Sequence, residues 1–247
     1  MLDMASRLGS IDMKLAADTL SPVADELALL RDVLPGPGGR VLELGCGAAE
    51  KSRLLAKAYP DLELVATEVD AAQHAKNKAA DKPANLSFEA AGAQALPLGD
   101  ASFDLVLMFK SLHHVPTDLI PQALAEIRRV LKQGGLAWIS EPVFAGELNE
   151  IMRLFHDEQQ VRLAAFDGVK QVVEAGLFRC EKQIFFGDPR QFPDFESFEE
   201  RVIRVTYADH QLSPDVETEV RRRFERHLSA DGARFVSPMR VDLLRAA

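Results

Sequence analysis

The sequence predicts an α/β protein built on a doubly wound, mostly parallel sheet, and three observations carry that prediction. The apolar run Val41-Leu42-Glu43-Leu44 ends in Gly45-Cys46-Gly47 and gives way to helix-forming residues, as where a strand runs into a tight turn and then a helix. A second apolar run over 62–67 ends at Glu68, after a helix over 50–58 that Pro60 stops; this completes a βαβ unit. Strand and helix patterns keep alternating as far as Glu141, and such alternation implies parallel strands with helices on both faces.

Taken in order, Ser21-Pro22 reads as an N-cap followed by proline at the first helical position. Asp25 and Glu26 fall in its first turn, and Val23, Leu27, Leu30 and Leu34 on one face. Pro35-Gly36-Pro37-Gly38-Gly39 ends this helix before the strand at Val41. Beyond Glu68 come a helix over 71–80, a short strand at 86–88 and a buried apolar strand over 103–109. Pro121 opens a helix with Leu124, Ile127 and Leu131 on one face, and Gly134-Gly135 closes it before a strand over 136–140. After Glu141 residues 147–175 read as mainly helical, and 178–186 as a strand stopped by Gly187-Asp188-Pro189. Ser197 and Glu200 have capping-box spacing, Ser213-Pro214 starts a helix through Leu228, and 234–244 reads as the final strand. The simplest arrangement pairs 178–186 with 234–244 in antiparallel fashion and leaves 190–228 as a helical insertion. The expected organisation is a single domain: an N-terminal helical segment (1–39), the sheet core (40–187), an insertion or lid (188–230) and the last strand (231–247).

With 247 residues, 47% of them hydrophobic, the chain can bury one large core. A net charge of -9 provides no basic surplus for phosphate contacts, so no nucleic-acid partner is expected. Cys46 and Cys180 stand far apart, and neither belongs to a metal-ligand or redox spacing, so neither a disulfide framework nor a metal site is expected. The start of the chain lacks a basic region followed by an apolar core, and no run reaches membrane-spanning length. A cytoplasmic protein with no membrane partner is the expectation.

Glu68 falls about 20 residues past the glycine turn, where a carboxylate in a βαβ nucleotide site accepts hydrogen bonds from ribose hydroxyls. The plain alternative is a solvated acid at a strand end, and Asp70 is a rival for the role. Glu50 stands where a dinucleotide fold places its third glycine, and its charge opposes a pyrophosphate at the helix start. The turn therefore suits a nucleoside without phosphates.

Five motifs in order give the chain a resemblance to the class I S-adenosylmethionine-dependent methyltransferases over about residues 41–142. They are Val41-Leu42-Glu43-Leu44-Gly45-Cys46-Gly47; the acid Glu68; Ala95-Leu96-Pro97-Leu98 with Ser102-Phe103-Asp104-Leu105-Val106; Ser111-Leu112-His113-His114-Val115; and Arg129-Val130-Leu131-Lys132-Gln133-Gly134-Gly135. The resemblance implies a Rossmann-like, seven-stranded, mostly parallel sheet with an antiparallel C-terminal strand and a helical insertion. It also implies that Glu43, Gly45, Cys46, Gly47, Glu68, Gly92, Ala93 and Lys110 surround S-adenosylmethionine, with S-adenosylhomocysteine as product. The glycine turn would face the methionine part, Glu68 the ribose, Gly92-Ala93 the adenine, and residues 110–112 the methyl group and substrate.

Three positions depart from the family pattern. Ala49 replaces a third glycine, a small change if its φ is negative. Gly92 stands where an aspartate commonly receives the adenine amino group, a loss of about 0.5–1.5 kcal/mol that Gln94 is placed to offset. Gln133 replaces a loop proline.

The reaction implied is methyl transfer to a small-molecule acceptor by in-line displacement, in which the protein chiefly aligns the nucleophile and excludes water. Where the nucleophile must lose a proton, the candidates are Lys110, His113, His114 and Glu141, each at or just after a strand's carboxyl end. For the histidine pair a packing role at a helix start is the alternative. Lys110 is expected to pair with an acidic substrate or with Glu141, or else to lie solvated in a loop. Arg204, Tyr207 and His210, with Arg201, approximate one helical face suited to a lid over a polar substrate, or a plain surface stripe. Arg221-Arg222-Arg223 lies among glutamates and reads as a salt-bridged helix, and Phe185, Phe186, Phe192, Phe195 and Phe198 as core between lid and sheet, with a hydrophobic substrate pocket as the alternative. A monomer or homodimer is expected. The competing functions are a non-catalytic S-adenosylmethionine- or S-adenosylhomocysteine-binding or partner protein, and a nicotinamide-dependent oxidoreductase, which Glu50 disfavours.

Overall fold

The computed structural model describes residues 12–22, 25–204 and 210–247. Its elements follow in order: β1 (Ser21–Pro22), α1 (Glu26–Leu29), β2 (Arg40–Leu44), α2 (Glu50–Ala58), β3 (Glu63–Glu68), α3 (Ala71–Ala79), β4 (Leu86–Ala90) and β5 (Phe103–Phe109). Then come α4 (Ile120–Val130), β6 (Leu131–Pro142), α5 (Glu147–Met152), α6 (Gln159–Glu174), β7 (Phe178–Phe192), α7 (Phe195–Phe198), α8 (Pro214–Glu225), β8 (Leu228–Ser229) and β9 (Gly232–Ala246). The strands form one sheet in the order β1-β7-β9-β6-β5-β2-β3-β4, with β8 paired to β9. Two of its nine strands, β1 and β8, are two residues long, so the sheet has seven long strands.

Strand β9 runs antiparallel to both its neighbours, and all the other long strands are parallel. The central strands β2, β3 and β5 are buried along most of their length because both faces are covered. One core lies against α4 and α6, with Phe103, Leu124, Ile127 and Phe166 at its centre. The other lies against α1 and α2, with Leu30, Leu55, Leu105 and Trp138. Trp138, to which the sequence assigns no role, is fully buried and aims its indole N–H at Glu26 Oε1, 3.4 Å away. A third core, built by α5, α7, α8 and the distal parts of β7 and β9, contains Phe192, Phe198 and Phe224. The chain turns back on β2: β3 and β4 lie on one side of it and β5 and β6 on the other. Open α/β sheets bind ligands at such a reversal, outside the carboxyl ends of the strands.

Several boundaries differ from the sequence expectation. Ser21 does not cap a helix; Ser21–Pro22 pairs with Phe186 and Gly187 at the sheet edge, and Asp25 caps α1 by accepting from the Leu27 amide at 2.9 Å. Gly187-Asp188-Pro189 does not stop β7, which continues through Phe192 opposite Ala233. Among the described residues this strand pairs beyond Gly187 with β9 alone, so Pro189 sits in an edge strand where its missing N–H is tolerated. The antiparallel pairing of 178–186 with 234–244 is present and extends further at both ends. Asp194, not Ser197, caps α7, accepting from the Ser197 amide at 2.8 Å. Ser213 does cap α8, which ends at Glu225. Arg222 and Arg223 pair with Glu219, and Arg221 lies over the Phe195 ring. Among the described residues no helix is long and apolar enough to cross a membrane.

Candidate functional site

The glycine turn follows β2 at the reversal. Gly45, Gly47 and Ala49 all have left-handed backbone, with φ of 68°, 53° and 57°. At Gly45 a side chain is excluded by space as well as by φ: a Cβ there would lie 2.9 Å from Ser111 Cβ. Ser111 in turn donates its hydroxyl to the Leu44 carbonyl at 2.8 Å, tying the end of β5 to the turn. A Cβ at Gly47 would meet nothing within 4 Å, so the backbone faces open space on that side. Ala49 departs from the expectation of negative φ. It caps α2 in a conformation that costs a β-carbon about 1–2 kcal/mol.

Two side chains hold the turn from opposite directions. Glu68, at the end of β3 and largely buried, accepts the Gly47 amide at Oε2 (2.8 Å) and the Asp70 amide at Oε1 (2.9 Å). Each oxygen keeps a lone pair for a further donor. Asp70 is occupied otherwise, accepting the Gln73 amide as the cap of α3. Asn77, which the sequence reading missed, reaches down from α3 and donates to the Gly47 carbonyl at 2.7 Å. The sequence carries no signal for it beyond an asparagine inside a helix; its burial, which only the structure shows, is what calls for a specific partner. Behind the turn, burial raises the Glu43 carboxyl to about 7 despite its hydrogen bond from Ser52. Burial likewise pushes the Cys46 thiol to about 12, which removes it as a nucleophile.

Past β4, the Gln94 carboxamide fills the space a side chain at Gly92 would take, 2.6–3.0 Å from a Cβ placed there. Amide donor and acceptor groups thus stand where the family's aspartate is missing, and Ala93 packs into the core beneath. The donor set fits a phosphate-free nucleoside. It combines an uncovered glycine backbone, a carboxylate with free lone pairs and a carboxamide.

The acceptor side is built at the ends of β5 and β6. Lys110 has a φ of 55° and donates its amide to the Ser140 carbonyl at 2.7 Å. Its partner is not Glu141: the ammonium pairs with Asp188 on β7 at 3.3 Å. Burial and the nearby Arg190 charge lower the Lys110 pKa, with Asp188 opposing them. Asp188 was hidden in the sequence by the glycine and proline that read as a strand stop.

His113 and Glu141 are both buried and hydrogen-bond through Nδ1 and Oε2, while Glu141 Oε1 accepts the Leu112 amide at 2.9 Å. His113 Nε2 lies 3.6 Å from Glu158 Oε1, an oxygen that also sits 2.9 Å from His156 Nε2. Arg162 holds the other Glu158 oxygen at 2.6 Å. Burial disfavours charge on His113, but Glu141 and Glu158 outweigh it and raise its pKa to about 9. Burial raises the Glu158 carboxyl too, yet His113 and Arg162 hold it well below the usual range. The two carboxylates thus favour the imidazolium form of His113, which has no lone pair to act as a base. Its neighbour His114, with ring centroids 4.1 Å apart, is exposed, and partial burial plus the His113 charge lower its pKa. Of the two, His114 has the free base form.

The structure thus brings together His113, His114 and Glu141, and turns Lys110 toward β7. Arg204 does not join them; it lies at the end of a π-helical turn and pairs with Glu199. Tyr207 lies outside the described residues. His210 does approach, its ring 4.6 Å from that of His156 and 5.3 Å from that of Phe155.

Residues 41–135 match the sequence family described as "Methyltransferase domain". The 27-O-demethylrifamycin SV methyltransferase of Amycolatopsis mediterranei is 36% identical over 102 residues, 40% of this chain and 36% of the relative. The trans-aconitate 2-methyltransferase of Deinococcus radiodurans is 32% identical over 122 residues, 49% of this chain and 44% of the relative. This chain therefore spans less than half the length of both relatives. Among solved structures, the YcgJ protein of Bacillus subtilis superposes with a TM-score of 0.61 at 18% identity, over 89% of this chain and 96% of that one. The likeness at that identity is one of fold.

Proposed function

Since the chain belongs to the class I S-adenosylmethionine-dependent methyltransferase family, we propose that it transfers a methyl group to a small-molecule acceptor and releases S-adenosylhomocysteine. The observation that carries this reading is the pairing of Glu68 with the open glycine turn at the reversal of the sheet. Gly45, Cys46 and Gly47 offer backbone to the methionine part, Glu68 accepts from the ribose hydroxyls, and Gln94 serves the adenine edge beside Gly92-Ala93. S-adenosylmethionine brings a methyl group already activated by its sulfonium, so alignment and exclusion of water are what the protein adds.

His114 takes the acceptor's proton when the nucleophile carries one, while the His113 imidazolium fixes the wall behind it. His210, with its ring against His156, flanks the acceptor side. Two relatives are named for small organic acceptors, demethylrifamycin SV and trans-aconitate, which supports an acceptor of that class.

Calorimetric titration with S-adenosylhomocysteine tests the reading. The folded protein should bind it, and Glu68→Ala should weaken binding at least tenfold, since charge-assisted hydrogen bonds are worth about 1.5–3 kcal/mol. Folded wild-type protein that binds none sinks the proposal.

A further inference from the structure

We propose that His113, His114 and Glu158 bind one divalent first-row transition-metal ion at the carboxyl edge of β5 and β6. One ligand atom from each lies within 4.8 Å of the others. Ligand atoms about 2.0–2.2 Å from a shared ion sit roughly 3.3–3.6 Å apart in a tetrahedral site, and His113 Nε2 is 3.6 Å from Glu158 Oε1. That separation is too long for a good hydrogen bond.

An independent observation concerns the far side of the ring. His113 binds Glu141 through Nδ1, and Glu141 is itself fixed by the Leu112 amide. Metal-ligating histidines are oriented in this way, the second nitrogen bound to a carboxylate so that the first points at the ion. Arg162 likewise occupies Glu158 Oε2, while Oε1 faces His113 and also lies 2.9 Å from His156 Nε2, leaving it one lone pair for the ion.

Two imidazoles and one carboxylate suit zinc, cobalt or iron, whereas magnesium and calcium prefer all-oxygen sites. Exposed His114 gives the ion a way in. The ion takes the place of the proton on His113 Nε2 and fills the free nitrogen of His114, so His114 is a ligand in the metal-bound protein and acts as a base only in the metal-free one. Three protein ligands leave a position open. A hydroxyl or carboxylate of the methyl acceptor would occupy it, and that role alone rests on the methyltransferase reading.

The test titrates Co²⁺ into untagged, chelator-treated full-length protein, following heat and the visible bands of low-coordinate Co²⁺. One equivalent should bind. His114→Ala, at an exposed position, and Glu141→Gln, which removes only the orienting carboxylate charge, should each weaken it at least tenfold. Wild-type protein that takes up no Co²⁺, or uptake unchanged in both variants, overturns the proposal. S-adenosylhomocysteine titrated into the same samples reports on the cofactor cleft separately. Retained cofactor-product binding without Co²⁺ binding removes the metal site and leaves the methyltransferase reading standing.

Discussion

Glu68 and Gly47 are joined across the sheet reversal: the carboxylate at the end of β3 accepts the amide of the glycine turn at 2.8 Å, 21 residues away in sequence. The same carboxylate accepts the Asp70 amide, so it shapes the turn before any ligand arrives. Glu68→Ala leaves both amides without their partner in a largely buried site. The expected loss is about 1–3 kcal/mol of unfolding free energy, read by urea denaturation. Stability equal to wild type would mean that water replaces the carboxylate freely and that the turn does not depend on it.

The three left-handed positions of the turn should respond differently to a methyl group. Ala49→Gly removes a strained β-carbon at φ 57° and should stabilise by about 0.5–1 kcal/mol, the strain relieved less the greater freedom of glycine in the unfolded chain. Gly47→Ala should cost about 1–2 kcal/mol from φ alone, because space there is open. Gly45→Ala should cost more, adding the clash with Ser111 Cβ. Thermal unfolding of the three variants checks that order, and a destabilising Ala49→Gly would contradict the account of the cap.

Much of this site was legible because its parts are tied to local rules. A glycine turn after an apolar strand, an acid at the next strand end and polar residues at carboxyl ends follow from backbone geometry and sheet topology, and they led to Gly45, Gly47, Glu68, His113 and Glu141. The partners that complete the site were not legible, because each is supplied by a distant segment. Asp188 lies 78 residues from Lys110, and Glu158 comes from the turn before α6. Asn77 looked like any polar helix residue. The positive φ of Ala49, at the N-cap of α2, cannot be read from its residue type, since alanine ordinarily avoids it. Ser21–Pro22 and Gly187–Pro189 misled for one shared reason: both segments pair at the sheet edge, where tertiary pairing overrides capping and stop signals.

Phe224 is fully buried in the third core, with rings of Phe192, Phe195, Phe198 and Phe235 between 5.0 and 6.1 Å away. Phe224→Ala should cost about 3–5 kcal/mol of stability through lost transfer energy and the cavity left behind. No residue of this core belongs to the glycine turn, so affinity for S-adenosylhomocysteine should change by less than about threefold. A much larger drop in affinity would show that this core and the cofactor cleft act as one cooperative unit.

Glu43 makes stability fall as pH rises. Burial lifts its folded pKa to about 7 from an ordinary 4.5, with the Ser52 hydrogen bond and the Lys51 charge opposing. Between those values the folded protein keeps a proton that the unfolded chain has released. Stability attributable to this group is thus intact below about pH 4.5, declines through neutrality and levels off above about 7. The shift corresponds to about 3 kcal/mol at most. Glu43→Gln is neutral at every pH and should lack this decline. It should be more stable than wild type at pH 8, and no more stable at pH 4.5, where wild type holds its proton in both states. Denaturant unfolding of the two proteins across that range measures the difference. Parallel pH profiles would show that Glu43 ionises at its ordinary value, with solvent or Lys51 compensating the buried charge.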